Sequence, residues 1–462
     1  MCASVRRRTA RLSAVLLSLL LSACATQWPA YERPSLDLPA ATANGLDIDR
    51  QWWRTFDDPV LDALVEEALA HNFDLLKAAS AIAEAQAAAG VARAALSPRL
   101  DGGASAQVSQ RQLSLSADID DINTVNAWTG AGLQAGWEVD LWGRIAQLNE
   151  AALARVSASE HTRNAVALSV SAAVAETYFH LRALQQKLAL TREATGYLQA
   201  LSQLEYRRWQ GAVGTQLAYR QALAEQASME ARLPALQSAI AQTELALRLL
   251  VGSSPRQMSL QIPDGKPLKV PPTPREIDSA LLLRRPDIAS AEQLLIATHA
   301  DLNAVRAERY PRLSLSLLGG LLATTSSAIS GTPLYWDLTA GLTGPIYDAG
   351  LVQSRIDGAD AREDKAVAHY RYTVSLAYRE TYEALVRADS SDRELAAVER
   401  EVETRKQALA LTQRSFDAGR SSMFEVLGET TKVVNARMGL VDARQEQLVA
   451  RSRYYKALGG GY

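Results

Sequence analysis

Across 462 residues the chain is 48 % hydrophobic but only 6 % aromatic, the makeup of long packed helices rather than thick cores. Its 49 basic and 51 acidic side chains leave a formal charge of −2, which gives no electrostatic reason to bind nucleic acid. With Cys2 and Cys24 as the only cysteines, a disulfide framework is excluded as well.

Residues 1–23 read as a signal peptide. Arg6, Arg7, Arg8 and Arg11 precede an apolar run, Leu12–Leu21, that is too short to span a bilayer. Leu21-Ser22-Ala23-Cys24 then resembles the bacterial lipobox. That resemblance implies cleavage before Cys24, a diacylglycerol on its thiol and an acyl chain such as palmitate on its new amino group. Ala25, where inner-membrane lipoproteins tend to carry aspartate, implies outer-membrane sorting. The alternative is an ordinary signal peptide with an incidental cysteine. Cleavage removes four arginines and no acids, taking the formal charge from −2 to −6, and leaves no second cysteine for an intrachain disulfide.

Residues 24–58 form an expected extended linker with Pro29, Pro34 and Pro39, ending near Trp52-Trp53 and Asp57-Asp58. A first repeat, 59–252, opens with a short helix from Val60 to Ala70 that places Leu61, Leu64, Val65 and Leu69 on one face. An alanine-rich helix over about 73–96 stops at Ser97-Pro98. Two strands follow, about 99–110 and 127–140, with a polar loop, Leu113–Asn126, between them. In the first, Leu100, Gly102, Ala104, Ala106 and Val108 alternate with polar or glycine positions. In the second, Ala127, Thr129, Ala131, Leu133, Ala135, Trp137 and Val139 do the same. A helix-like run over 141–207 contains no proline; at ~1.5 Å per residue it spans roughly 100 Å, too long for a globular domain. Asp140 stands where it can cap this helix, or serve as a plain surface carboxylate. Val166, Val170, Ala173, Thr177, Leu181, Leu184 and Leu188 recur at three and four, as in a coiled-coil seam. A tip at 208–214 leads to a return helix, 215–251, and then to a proline-rich connector, 253–275.

The chain then starts again. Asp74 and Asp287 sit in matching segments 213 positions apart, and so do Pro98-Arg99-Leu100 and Pro311-Arg312-Leu313. Gly136, Asp140, Gly211 and Gly252 match Gly344, Asp348, Gly419 and Gly460, each 208 positions on. A period near 210 is too long for a solenoid and marks a duplicated half-molecule. The second repeat, 276–460, has strands at about 312–322 and 336–347, a long helix at 349–415, a tip at 416–422 and a return helix at 423–458. In the first repeat the return helix, 215–251, and the alanine-rich helix, 73–96, together nearly equal the long helix, so two shorter helices can stack end to end beside one continuous helix as a rod.

Strands of ten or so residues with a dyad pattern suit a tilted bilayer crossing, although a soluble sheet shares the pattern. Four strands cannot close a barrel, and open edges are not tolerated in lipid, so copies must combine. Two copies give eight strands and a filled interior; three give twelve and a lumen that the rods continue as a helical tube.

Trp52-Trp53, Asn72-Phe73-Asp74-Leu75, Trp137-Glu138-Val139-Asp140-Leu141-Trp142-Gly143, Arg285-Pro286-Asp287-Ile288 and Pro345-Ile346-Tyr347-Asp348-Ala349-Gly350 resemble the outer-membrane efflux family of TolC and OprM, in its NodT-type lipoprotein branch. The resemblance covers essentially the whole mature chain. It implies a mixed α/β membrane protein, mostly α, with duplicated half-molecules. It further implies a homotrimer with a twelve-stranded transmembrane β-barrel, four strands per chain, continued by a long periplasmic α-helical barrel. The implied partners are a periplasmic adaptor (a membrane fusion protein) and an inner-membrane pump, usually of the proton-driven RND type. Family members carry an aromatic-x-x-Gly turn at each periplasmic tip. Phe416 through Gly419, with Arg420 and Ser421, matches it; Arg208-Trp209-Gln210-Gly211, with Val213 and Gly214, matches with Arg208 in the aromatic slot. The resemblance makes both turns docking sites for adaptor hairpins. Glu425 stands at the first of two acidic positions that narrow the closed pore in the family, or is one charge on a solvated helix face. Gly428 occupies the second position, and Ser421, beside Arg420, holds the place of the gate arginine.

His71, His161, His180, His299 and His369 are scattered, and neither a nucleophile elbow nor a phosphate-binding loop is present. The sequence therefore points to a passive export duct for small molecules or drugs, with no catalytic residue, no metal and no cofactor beyond the lipid on Cys24. A type I protein-secretion duct and a non-conducting coiled-coil envelope scaffold are the alternatives.

Overall fold

The computed structural model describes residues 28–36, 49–113, 122–252, 268–271, 283–325 and 330–461. Cys24, residues 1–23 and most of the 253–275 connector lie outside them. The first half runs α1 (Pro59–His71), α2 (Phe73–Ala94), β1 (Arg99–Leu113), β2 (Ile122–Val139), α3 (Arg144–Gln210), α4 (Gln216–Glu230) and α5 (Leu233–Val251). The second runs α6 (Pro286–Arg306), β3 (Arg312–Thr325), β4 (Ser330–Gly331), β5 (Leu334–Thr343), α7 (Leu351–Asp417) and α8 (Met423–Ala457).

The chain divides into two compact units. One comprises the described parts of Met1–Ser35, Ile82–Ser159 and Ala291–Tyr370. It holds an antiparallel sheet in the order β1-β2-β3-β5, with the two-residue β4 on the end of β3. The start of the described chain is fastened to this unit. Trp28 Nε1 donates to Trp142 O at 2.8 Å, the Pro29 carbonyl accepts from His299 Nε2 at 2.9 Å, and Arg33 pairs with both oxygens of Glu292 at 2.6 and 2.8 Å. Trp142 in turn stacks on Tyr310 and donates to Pro311 O.

The other unit comprises the described parts of Leu36–Ala81, Glu160–Ser290 and Arg371–Tyr462. Its largest core gathers Trp52, Phe56, Leu61, Val65, Tyr178, Phe179, Leu247 and Tyr454. Asp58 organises one side of it. Its carboxylate caps α1 through Val60 N at 2.9 Å and accepts from Tyr178 Oη at 2.7 Å and Arg182 Nη1 at 2.9 Å. The two repeats share a tie here. Asn72 Nδ2 donates to Leu250 O, near the end of α5, and Arg285 Nη1 donates to Ala457 O, at the end of α8.

Several expected boundaries move, each for a local reason. The linker 24–58 does not extend to its end: Trp52–Phe56 forms a 3-10 turn whose Trp52, Trp53 and Phe56 are buried core. The return helix 215–251 is two helices, because Pro234 lacks the N–H that would bond the Glu230 carbonyl and its ring would clash there. The polar loop 113–126 is shorter, since backbone pairing continues from Arg111–Thr124 to Leu113–Ile122 whatever the side chains. The strand at 336–347 instead spans Leu334–Thr343, ending before Gly344-Pro345, where proline cannot donate to a ladder. The seam on the long helix is wider than a stripe, because Val174, Ala175, Tyr178 and Phe179 are buried beside Val170 and Leu181.

The duplication is more regular in space than in the sequence motifs. Both long helices have 67 residues, and Arg144 to Leu351 and Gln210 to Asp417 are each 207 positions. The left-handed Gly143 and Gly350 share that spacing, as do Gly252 and Gly459. The 208-residue matches of Gly211 with Gly419 and Gly252 with Gly460 are therefore displaced by one.

Candidate functional site: a two-faced sheet and two helical turns

The strand registers decide what the sheet presents. Directly opposed residues share a face. Gly102 opposes Leu133, Leu133 opposes Gly319, and Gly319 opposes Trp336. The alternating apolar sets of all four strands thus fall on one face, including Leu100, Val108, Leu317, Leu321, Leu338 and Leu342. That face is open: Leu133 is 56 % exposed, Leu342 66 % and Trp336 75 %. The opposite face is the more polar one, with Asp101, Ser105, Gln107, Gln134, Ser314, Ser316, Asp337 and Thr339 around a half-buried patch of Trp128, Leu318, Leu322 and Tyr335. No helix among the described residues is long and apolar enough to cross a membrane. Water would penalise such a sheet, whereas lipid on one side and water on the other suit it.

Glycines allow two strands to approach closely on the polar face. Gly132 opposes Gly320, and a Cβ on Gly320 would lie 2.4 Å from Ala131 O, while one on Gly132 would lie 2.9 Å from Gly319 O. Only glycine permits this approach of β2 to β3. The sheet feeds the long helices through two carboxylates. Asp140 accepts from Ile145 N at 3.1 Å and Ala146 N at 2.7 Å, so it is a cap; Asp348 accepts from Gly350 N and Val352 N.

The turns that end α3 and α7 lie beside each other. Val213 N and Gly214 N both donate to Arg208 O at 2.9 Å, and Ala212 N donates to Trp209 O. In the second turn Arg420 N donates to Ser415 O and Gly419 N to Phe416 O. The superposable hydrogen bonds pair Ala212 with Gly419 and Trp209 with Phe416. Trp209, not Arg208, therefore fills the aromatic slot, and the left-handed residue of the first turn is Ala212, not Gly211. Thr215 and Ser422 then cap the return helices in equivalent fashion, through Ala218 N and Glu425 N.

Arg208 acts across the turns instead. Its guanidinium lies 5.1 Å above the Phe416 ring and 3.6 Å from buried Glu205. Trp209 stacks on Tyr219 at 5.9 Å, with Tyr206 against both. Val213 and Phe424 are left 76 % and 65 % exposed. Ser421 Oγ donates to Thr412 O, and Arg420 is exposed. Glu425 is exposed and receives a hydrogen bond from its own cap, Ser422, at 3.3 Å. Tyr206, Tyr219, Glu205 and Phe424 escape sequence reading, because a turn motif names only the residues inside the turn.

The family described as outer membrane efflux protein matches residues 64–253 and again residues 278–460, the two halves of the duplication. The chain belongs to that family. The efflux protein is 32 % identical to the pyoverdine export outer membrane protein OpmQ of Pseudomonas aeruginosa, over 98 % of this chain and 97 % of that one. It is 30 % identical to the toluene efflux pump outer membrane protein TtgI of Pseudomonas putida, over 96 % and 97 %. The structure of the outer-membrane channel OprN aligns with a TM-score of 0.85 at 26 % identity, covering 94 % of this chain and 99 % of that one. The efflux protein is accordingly an outer-membrane channel component with a periplasmic helical extension, and not an enzyme.

Proposed function

We propose that the efflux protein works as a homotrimer, each copy supplying four strands of a twelve-stranded barrel and helices of a periplasmic tube. The observation that carries this reading is the single exposed apolar face shared by all four strands, with both outer strands, β1 and β5, paired on one side only among the described residues. Cys24 carries diacylglycerol and an acyl chain, and residues from Trp28 onward hold this anchor against the sheet-bearing unit. The 208–214 and 416–422 turns receive the hairpins of a periplasmic adaptor, through Arg208, Trp209, Gly211, Val213, Gly214, Phe416, Gly419, Arg420 and Ser421. An inner-membrane pump of RND type supplies energy, and Glu425 contributes to a constriction near these turns. Adaptor binding favours the open arrangement by differential affinity.

Cargo is small molecules chosen by the pump. Relatives of similar identity are named for pyoverdine export and for toluene efflux, which supports a wall that does not itself select. The test is single-channel recording of the purified protein in planar bilayers, with crosslinking from cysteines at Val213 and Ser421 in cells. Stepwise conductance and a covalent bond to an adaptor are expected; folded protein that never conducts, even with Glu425→Ala, overturns the duct.

A further inference from the structure

Residues 28–35 lie as a strap on the sheet-bearing unit, tied at three points. Two of the ties have fixed chemistry: an indole N–H on the Trp142 carbonyl, and a guanidinium on both oxygens of Glu292. The third runs through an imidazole. His299, on α6, has both ring nitrogens against oxygens. Nδ1 lies 2.7 Å from Glu363 Oε1, on α7, and Nε2 lies 2.9 Å from the Pro29 carbonyl oxygen. A carbonyl and a carboxylate only accept, so both bonds exist together only when both nitrogens carry hydrogen, which is the imidazolium form. The neutral ring has one N–H. Donated to Glu363 it makes the stronger, charge-assisted bond. The Nε2 lone pair then faces the Pro29 oxygen, acceptor against acceptor. The His299 side chain is only 15 % exposed, so water replaces the lost bond poorly.

The surrounding charges leave Glu363 as the carboxylate that faces this ring. On the strap, Arg33 is engaged by Glu292 and Glu32 is exposed. On α6 itself, Asp301 pairs with Arg155 of α3, and Arg306 pairs with Asp360 of α7. Tyr31 sets its ring 6.2 Å from the imidazole at 66°, and its Oη is buried with no hydrogen-bond partner, so it adds packing but no polar tie. Tyr31 and Tyr370 of α7 both stay neutral around neutral pH, because burial above all raises their phenols from 10.0. The imidazole is thus the group whose charge changes between about pH 5 and 8 and whose N–H the strap needs.

We infer that His299 is a proton-operated latch on the N-terminal strap. Protonated, it bridges Glu363 to the Pro29 carbonyl and holds residues 28–35 down; neutral, it keeps Glu363 and releases Pro29. The strap is tight in acid and looser in alkali. On the lipid-anchored reading above, the latch sets how firmly the segment behind Cys24 grips the channel, but it needs no lipid to work. Ala30 is exposed beside Pro29, so Ala30→Cys in the full-length detergent-solubilised protein can carry a nitroxide whose mobility is read by electron paramagnetic resonance. Its mobile population is expected to rise about three- to tenfold, reversibly, from about pH 5.5 to about pH 8.5, the ratio that one lost hydrogen bond gives. His299→Gln should abolish this response. Glu363→Gln should abolish it differently: an amide can donate to Nδ1, which frees Nε2–H for Pro29, so the strap stays held at the higher pH. Equal mobility of the parent strap at both pH values overturns the latch. So does a response that survives His299→Gln, or a Glu363→Gln strap as mobile as the parent's in alkali. Label taken up without Ala30→Cys marks a free Cys24 thiol; it is subtracted, and it overturns the lipid reading while leaving the latch.

Discussion

Ala212 carries φ of 53°, a left-handed backbone that costs a residue with a Cβ roughly 1–2 kcal/mol, while its counterpart Gly419 carries 71° without that cost. Ala212→Gly should therefore raise stability by about 1 kcal/mol and Gly419→Ala lower it by a similar amount. Gly211→Ala should be nearly neutral, since Gly211 is not left-handed and a Cβ there meets Arg207 O only at 3.4 Å. Denaturant midpoints of the detergent-solubilised protein check all three; a larger loss at Gly211 than at Gly419 would reverse the assignment. Tyr31 offers a pH prediction. Burial, then the Glu292 carboxylate and Tyr370, push its phenol from 10.0 to about 12, against a smaller opposing pull from Arg33. The folded chain thus keeps a proton that the unfolded chain has lost. The Tyr31 share of stability is complete below pH 10 and falls away as pH rises from 10 to about 12. Stability of Tyr31→Phe, followed by thermal unfolding, should lose less over that interval than the parent protein does.

At the scale of elements, the sheet depends on close contact between β2 and β3. Gly320→Ala drives a Cβ into Ala131 O, so it should cost about 1–3 kcal/mol and reduce whatever oligomer the parent protein keeps on semi-native gels. Gly103→Ala, on the same face with nothing within 4 Å, is the control and should leave that oligomer intact. The elements themselves were readable because their periods differ: two in the strands and three to four in the helices survive any tertiary context. Their ends were less readable. Backbone pairing carried β1 and β2 beyond their patterned cores, and Pro234 split a helix whose other residues all favour continuation. The one-residue displacement of the repeats is invisible in the sequence, where Gly211 and Gly252 each find a glycine 208 positions on. In space, Ala212 does the work of Gly419, and the hydrogen bonds of the turn fix the match.

At the scale of the molecule, the exposed apolar face is the feature on which membrane assembly turns. An arginine facing lipid costs about 2–4 kcal/mol near mid-bilayer and about 0–1 kcal/mol near an interface, so Leu133→Arg, mid-strand, should deplete the protein from outer-membrane fractions, and Leu342→Arg, one residue from the end of β5, should do so less. Gln107→Arg, on the polar face, should not; fractionation followed by immunoblotting distinguishes them. A coiled-coil spacer with a soluble sheet would tolerate all three. Sequence alone determined the family, the duplication, the long helices and the alternating strands, because these reside in local periodicity and in motifs that recur along the chain. Tertiary structure alone decided that the four alternations share one face, that Arg208 reaches Phe416 across the turns, and that the repeats are 207 apart in their helices. Those facts depend on register between segments distant in the chain, and a shift of one residue, invisible to periodicity, changes which side chains meet.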